Sequence, residues 1–191
     1  MLPPEQIPDP WRSFLAKVDQ NISGEVVLHC VGGFVVTMLY GLARTTADVD
    51  VVAVSSNSVD IRNLVSLAGK GSELHQKYGV YLDVVRIAPV PEDYEQRLVA
   101  LFPVSFQKLR LLALDPYDLA LTKIERNIQR DRDDVKYLAR KIPFDLNVLK
   151  ARYHQELRPL LGNPQREDLT LQLWIEAIEE ERSKYRTDPI L

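Results

Sequence analysis

Asp48 and Asp50 alternate with Val49 and Val51 in a short segment whose pattern is typical of a β-strand. Side chains of a strand alternate between its two faces, so the two carboxylates share one face and the valines the other. Two neighbouring carboxylates repel each other unless a cation lies between them. The cation that suits such oxygen ligands best is Mg²⁺, or Mn²⁺ in its place.

A pair of carboxylates is also the usual number that proteins offer to magnesium. Mg²⁺ fills the rest of its octahedron with water and with phosphate oxygens of a substrate, so the pair suits a nucleoside triphosphate site. The alternative is an exposed edge strand that carries two solvated acids. The spacing of Asp48 and Asp50 does not by itself separate these two interpretations.

A Gly-Gly pair precedes the acids and favours the phosphate interpretation. Gly32 and Gly33 follow an apolar run and are predicted to form a tight turn into a helix, where backbone N–H groups could approach phosphate. A plain tight turn would give the same two residues. The polar turn formed by Arg44, Thr45 and Thr46 then leads into the acid strand, and these three residues are further candidates for nucleotide binding.

The order of these parts resembles the signature of the nucleotidyltransferase superfamily. Gly32 and Gly33 are followed, after fourteen residues, by Asp48 and Asp50, each with an apolar neighbour. The resemblance implies that both acids bind the metal ions that hold a triphosphate and activate an incoming hydroxyl. It also implies a third carboxylate on a later strand, for which Asp83 is the matching candidate.

A later segment resembles one subgroup, the abortive-infection type of nucleotidyltransferase toxins and their uncharacterised relatives. The resemblance is carried by Lys123 and by the Arg-Asp-x-x-Asp run from Arg130 to Asp134. It implies that Lys123 assists binding and catalysis and that Arg130 and Asp134 bind nucleotide. It further implies an RNA acceptor, such as a tRNA 3′ end, and an antitoxin protein as partner.

The spacing of these residues also predicts one stripe on one helix. At about 100° per residue, Lys123, Arg130 and Asp134 fall within a narrow arc, apart from an apolar stripe. The argument requires that the helix over residues 118–140 is not broken near Arg130. Charges spaced in this way also decorate ordinary solvated helices, and that alternative stays open.

The chain is expected to fold as an α/β (α+β) protein with a small mixed sheet flanked by helices, followed by a C-terminal helical region. We predict an α/β core over residues 1–114 and a helical region over 115–191 that completes the active-site cleft. The predicted strands are 25–31, 47–54, 79–87 and 109–113. The predicted helices are 11–22, 34–42, 59–68, 93–102, 118–140, 145–160 and 164–185. On the last of them, Trp174 and Ile178 form an apolar stripe that is expected to face the core or an oligomer contact.

Composition excludes several classes of protein. The net charge of −3 argues against sequence-independent binding of nucleic acid, although residues 105–141 carry nine Lys or Arg against six Asp or Glu. A single cysteine excludes an internal disulfide, and we expect neither a signal peptide nor an apolar membrane segment. The histidines lack metal-ligand spacing. We expect a cytoplasmic protein with no membrane association.

The acid pair together with the resemblance implies a metal-dependent nucleotidyltransferase that transfers a nucleoside monophosphate from an NTP to a hydroxyl group. The acceptor would be RNA, with a protein side chain or a small molecule as alternatives. A second class stays open, namely a non-catalytic module of the same fold that binds a nucleotide or a partner.

Overall fold

The computed structural model describes residues 7–56, 61–85 and 89–186. The chain divides into an α/β unit, Met1–Ala88 with Glu95–Asp115, and a helical unit, Pro89–Tyr94 with Pro116–Leu191. No helix in the described ranges combines the length and the hydropathy needed to span a membrane.

A five-stranded mixed sheet forms the centre of the α/β unit. Its strands are β1 (Val26–Val31), β2 (Asp48–Ser56), β3 (Tyr81–Val84), β4 (Val99–Leu101) and β5 (Leu109–Ala113), in the order β3-β2-β1-β5-β4. β1 is antiparallel to β2 and parallel to β5, β2 is parallel to β3, and β4 is antiparallel to β5. The predicted small mixed sheet is therefore confirmed.

Four helices belong to the same unit: α1 (Trp11–Asn21), α2 (Gly32–Met38), α3 (Ile61–Ala68) and α4 (Glu73–Tyr78). α1 buries Phe14, Leu15 and Val18 completely, as its helical spacing predicts. Asp19 on this helix is also buried. Its carboxylate tolerates burial because it accepts the backbone N–H groups of Gln107, Lys108 and Leu109 at 3.2, 2.7 and 2.8 Å. The side chain thereby ties α1 to the start of β5.

The prediction of a helix over residues 93–102 is wrong. A single 3₁₀ turn, Tyr94–Arg97, is followed by β4, and Val99 pairs with Ala113 on β5. Five apolar residues in a row, 98–102, do not distinguish a helix from a buried strand by periodicity. Pairing with β5 decides the outcome, and that contact is not visible from the local sequence.

The helical unit contains α5 (Pro116–Leu121), α6 (Gln129–Lys141), α7 (Leu146–Arg152) and α8 (Pro164–Arg186). A π turn, Tyr153–Leu157, and a 3₁₀ turn, Arg158–Leu160, continue the path of α7. On α8, Trp174 and Ile178 are buried, which confirms the predicted core stripe. The Trp174 Nε1–H donates to Asn127 Oδ1 at 3.0 Å.

The prediction of one continuous helix over residues 118–140 is wrong. The chain leaves the helical path after Leu121, and Asn127 adopts a left-handed backbone with φ of 42° before α6 begins. Asparagine is one of the few residues other than glycine that tolerates this conformation. The Asp131 carboxylate then accepts the backbone N–H of Ile128 at 3.2 Å and closes the first turn of α6.

Candidate active site

The two faces of β2 differ as the alternation predicts. Val49 and Val51 are completely buried, whereas Asp48 and Asp50 on the opposite face are half-buried. Burial of a valine side chain contributes about 1.5–3 kcal/mol, so the valines fix the register that turns both carboxylates to the other face.

β3 adds a third carboxylate to that face. The parallel register pairs Asp50 with Asp83 and Asp48 with Tyr81. Residues paired in this way project to the same side of a sheet, so Asp83 shares the face of Asp48 and Asp50. Asp83 itself is exposed.

Gly32 lies directly against the Asp50 side chain. Val31 at the end of β1 pairs with Asp50, and Gly32 follows with φ of +72°. A Cβ placed on Gly32 would overlap the Asp50 carboxylate and would come within 2.9 Å of its Cγ. Glycine is therefore needed here both for the backbone conformation and for the close approach of the carboxylate.

Two hydroxyl groups hold Asp48. The buried Thr46 donates its Oγ1–H toward Asp48 Oδ1 at 3.0 Å, with the Asp48 carbonyl oxygen at 3.2 Å. The Tyr81 hydroxyl also bonds the Asp48 carboxylate. Burial raises the pKa of the Tyr81 hydroxyl, and the three nearby carboxylates raise it further, so Tyr81 is a donor at neutral pH.

Three other residues of this unit are predicted to bind nucleotide. Gly33 is buried within α2. Arg44 is half-buried and accepts the Thr37 hydroxyl on its carbonyl oxygen at 3.4 Å, while Thr45 is exposed. All three remain candidates for nucleotide contact. Tyr81 was not predicted, although it has the same strand parity as Asp83 and could have been found from that spacing.

The single thiol of the chain lies on β1, next to the strand that carries Asp48 and Asp50. Cys30 on β1 is completely buried and pairs with Val51 on β2. Burial raises the pKa of the Cys30 thiol, and the nearby Asp50 carboxylate raises it further. The thiol is thus neutral and plays no part in the chemistry of this face.

The carboxylate oxygens of this face suit a hard cation such as Mg²⁺, but they supply only some of its ligands. Within residues 7–56, 61–85 and 89–186, no three His, Cys, Asp or Glu side chains are grouped so that they could hold a metal ion by themselves. Magnesium needs only one or two protein carboxylates when phosphate and water supply the other ligands. Asp48 and Asp50 with Asp83 in register offer oxygen ligands of that kind.

The helical unit contains a second group of predicted site residues. The Lys123 Nζ lies 2.9 Å from Asp134 Oδ2 and 3.7 Å from Asp131 Oδ1. Lys123 is 4 % exposed and the two aspartates 1 % or less. Burial raises the pKa of Asp131, but hydrogen bonds from Arg126 and the charge of Lys123 hold it below its ordinary value overall.

The three residues predicted to share one helical stripe are thus only partly together. Lys123 and Asp134 meet because the chain turns between α5 and α6, and not because they share a helix. Arg130 lies exposed on the first turn of α6. The buried ion pairs stabilise the corner between the helices and leave the Lys123 ammonium covered.

Comparison with known proteins matches the chain to one protein family. No curated protein and no solved structure matched the chain. A family described as "Nucleotidyltransferase of unknown function (DUF6036)" matches residues 13–182 of the 191. The matched range includes the glycine pair at the start of α2, all three carboxylates of the β2–β3 face and the buried Lys123 group. The chain belongs to this family of nucleotidyltransferases.

Proposed function

We propose that the chain is a metal-dependent nucleotidyltransferase that moves a nucleoside monophosphate from an NTP to a hydroxyl group. The observation that carries the proposal is the face formed by Asp48, Asp50 and Asp83, with Gly32 against Asp50. Three carboxylates turned to one face repel each other unless a cation lies between them. The Mg²⁺ that accompanies a bound triphosphate would be that cation.

The reaction would be a single displacement. The acceptor oxygen forms a bond to the α-phosphorus, the bond from that phosphorus to the bridging oxygen breaks, and pyrophosphate leaves with the electron pair. Asp83, or one carboxylate of the pair, takes the proton of the acceptor hydroxyl. When bound, the metal would neutralise charge on the phosphates and orient them.

We assign a role to each residue of the face. Asp48 and Asp50 would bind the metal, and Thr46 and Tyr81 would hold Asp48 in the orientation that this requires. Gly32 would leave room for the Asp50 carboxylate and the phosphates. Preorganised positions of this kind account for much of the catalysis of phosphoryl transfer.

We extend the proposal to an RNA hydroxyl, such as a tRNA 3′ end, as acceptor, and to a toxin that an antitoxin protein restrains. This step is supported by the resemblance of Lys123, Arg130 and Asp134 to the abortive-infection toxins. The exposed Arg130 would then contact phosphate of the nucleotide or RNA. A tRNA end needs only a small basic surface, which a net charge of −3 allows.

A second candidate is a binding module that retains the fold without turnover. It is favoured by one observation, that no three metal-ligating side chains are grouped for a metal ion within the part of the chain that the structure describes. Such a module would bind an NTP, or a partner protein, without releasing pyrophosphate.

The test is incubation of the purified chain with Mg²⁺, total RNA and each α-³²P-labelled NTP in turn. We expect label in RNA from one or more nucleotides, and none with Asp48→Asn or Asp50→Asn. The control is Glu25→Gln, because Glu25 is an exposed acid of the same unit that pairs with Arg110 at 3.8 Å. Added protein and small-molecule acceptors test the other hydroxyl groups.

Each outcome separates the candidates. Label that depends on both acids but not on Glu25 establishes transfer and identifies the base. Binding of Mg·NTP without labelled product or pyrophosphate supports the binding module. Equal labelling by wild type and both Asp variants would show that this face is not the site.

A further inference from the structure

The turn between α3 and α4 is anchored beside the acid-bearing strands. Gly69 forms an isolated parallel bridge with Leu82 on β3. The Gly71 N–H donates to His75 Nδ1 at 2.9 Å, and Ser72 caps α4 by accepting the His75 N–H at 3.1 Å. The residue between the two glycines, Lys70, therefore has a defined place next to β3.

The Lys70 side chain lies on the face that carries the carboxylates. Its Nζ is 5.8 Å from the centroid of the Tyr81 ring, and the His75 ring packs edge-to-face with the same ring at a centroid distance of 4.9 Å. Tyr81 bonds Asp48 and lies in register with it. An exposed ammonium group is thus held beside Tyr81, at the border of the acidic face.

The other lysines of the α/β unit have different environments. Lys17 donates to Gln20 at 2.8 Å, and Lys108 donates to the Ile22 carbonyl oxygen at 2.5 Å. Lys77 lies 5.3 Å from the Tyr78 ring, but Tyr78 is on α4 and its ring packs on Phe14. In the helical unit, Lys123 is covered and paired with two aspartates.

We propose that Lys70 is a phosphate-binding residue of this chain, with Tyr81 and His75 holding its side chain in place. The inference rests on the proposed function, because it assumes that the acidic face binds a metal–triphosphate. A triphosphate has more negative charge than one Mg²⁺ neutralises, and the carboxylates repel the excess. A lysine at the border of the face offers a compact positive charge for those phosphate oxygens.

The test is isothermal titration calorimetry of the full chain with Mg²⁺ and inorganic tripolyphosphate, and with Mg²⁺ and each of ATP, GTP, CTP and UTP. The variants are Lys70→Gln and, as a matched control, Lys77→Gln, which removes an exposed lysine from another tyrosine ring. We expect Lys70→Gln to weaken both tripolyphosphate and the bound NTP by about tenfold, the loss of one charged contact. Lys77→Gln should bind as wild type does.

Two further readouts separate phosphate binding from a structural role. The affinity of Lys70→Gln should depend less steeply on salt concentration than that of wild type, since one ionic contact is gone. Lys70→Arg should restore most of the affinity. The unfolding temperature of both variants should match wild type because the side chain is exposed.

The outcomes distinguish this inference from the proposed function. If wild type binds neither tripolyphosphate nor any NTP, the proposed function fails and the inference fails with it. If wild type binds and Lys70→Gln binds equally well, only the role of Lys70 is overturned. A loss of NTP affinity without a loss of tripolyphosphate affinity would also overturn it, since the contact would then be to sugar or base.

Discussion

Gly32→Ala should damage the site far more than it damages the fold, and Gly79→Ala provides the matched control. Both glycines have φ of +72°. An alanine in the left-handed region costs about 1–2 kcal/mol at either position. Nothing lies within 4 Å of a Cβ placed on Gly79, whereas a Cβ on Gly32 would overlap the Asp50 carboxylate.

The magnitude follows from that difference. Gly79→Ala should lower the free energy of unfolding by about 1–2 kcal/mol, the backbone cost alone. Gly32→Ala should lower it by about 1–3 kcal/mol more, the usual cost of forcing an extra carbon into an occupied space. Asp50 is half-buried and can rotate away, so we expect the lower part of that range.

The assay combines urea unfolding with calorimetric titration of Mg²⁺ and NTP. On the proposed function, we expect Gly79→Ala to retain wild-type affinity and nucleotidyl transfer, and Gly32→Ala to lose both because the displaced carboxylate would no longer face the proposed metal position. If Gly32→Ala keeps full binding and transfer while Gly79→Ala shows the same loss of stability, the contact of Gly32 with Asp50 does not shape the site.

Three further predictions concern stability. Lys123→Met should lower the free energy of unfolding by about 3–5 kcal/mol because it removes a positive charge that pairs with two buried carboxylates. Arg126→Ala should cost less, since Arg126 is 63 % exposed. Urea unfolding followed by Trp174 fluorescence measures both losses. Asp19→Asn should cost about 1.5–3 kcal/mol at pH 7, from weakened bonds to three backbone N–H groups, as measured by urea unfolding. Burial raises the pKa of Asp19, but those N–H donors hold it below the ordinary 3.8, so its contribution is present above pH 3.8 and is lost as pH falls through the native pKa. Trp174→Phe should cost about 1 kcal/mol through loss of its bond to Asn127, measured by circular dichroism during urea unfolding.

Controls for these measurements come from the chain itself. Trp11→Phe leaves Trp174 as the single tryptophan and restricts the fluorescence signal to the helical unit. A loss below 1 kcal/mol for Lys123→Met would contradict the view that its charge stabilises the corner between α5 and α6. For Asp19, an unchanged difference between wild type and Asn variant down to pH 2 would contradict the assigned linkage.

The elements of the acid site could be predicted because their signals are local. Alternation of acid and valine predicts both the strand and its two faces, and the glycine pair marks the start of α2. The placement of Asp83 opposite Asp50 could not be predicted in the same way. It depends on the pairing of β2 with β3, between residues far apart in the sequence.

The environment of Lys123 shows where local spacing misleads. Helical geometry placed Lys123, Arg130 and Asp134 on one stripe, but the chain turns at Asn127 and only two of the three meet. The turn contains neither glycine nor proline. Its signal is weaker, an asparagine that accepts a left-handed backbone followed by an aspartate four residues later that closes the next helix.

The burial of Cys30 gives the protein a built-in reporter of opening motions. A thiol reagent reacts with the exposed thiolate, and the native chain presents neither exposure nor thiolate at this position. Labelling at Cys30 therefore requires the strands around it to separate, and its rate measures how often they do. Because the chain has no second cysteine, an increase in mass by one label identifies Cys30 as the labelled residue. A Mg·NTP that binds the acidic face should slow this labelling, which would report ligand binding without any catalytic turnover.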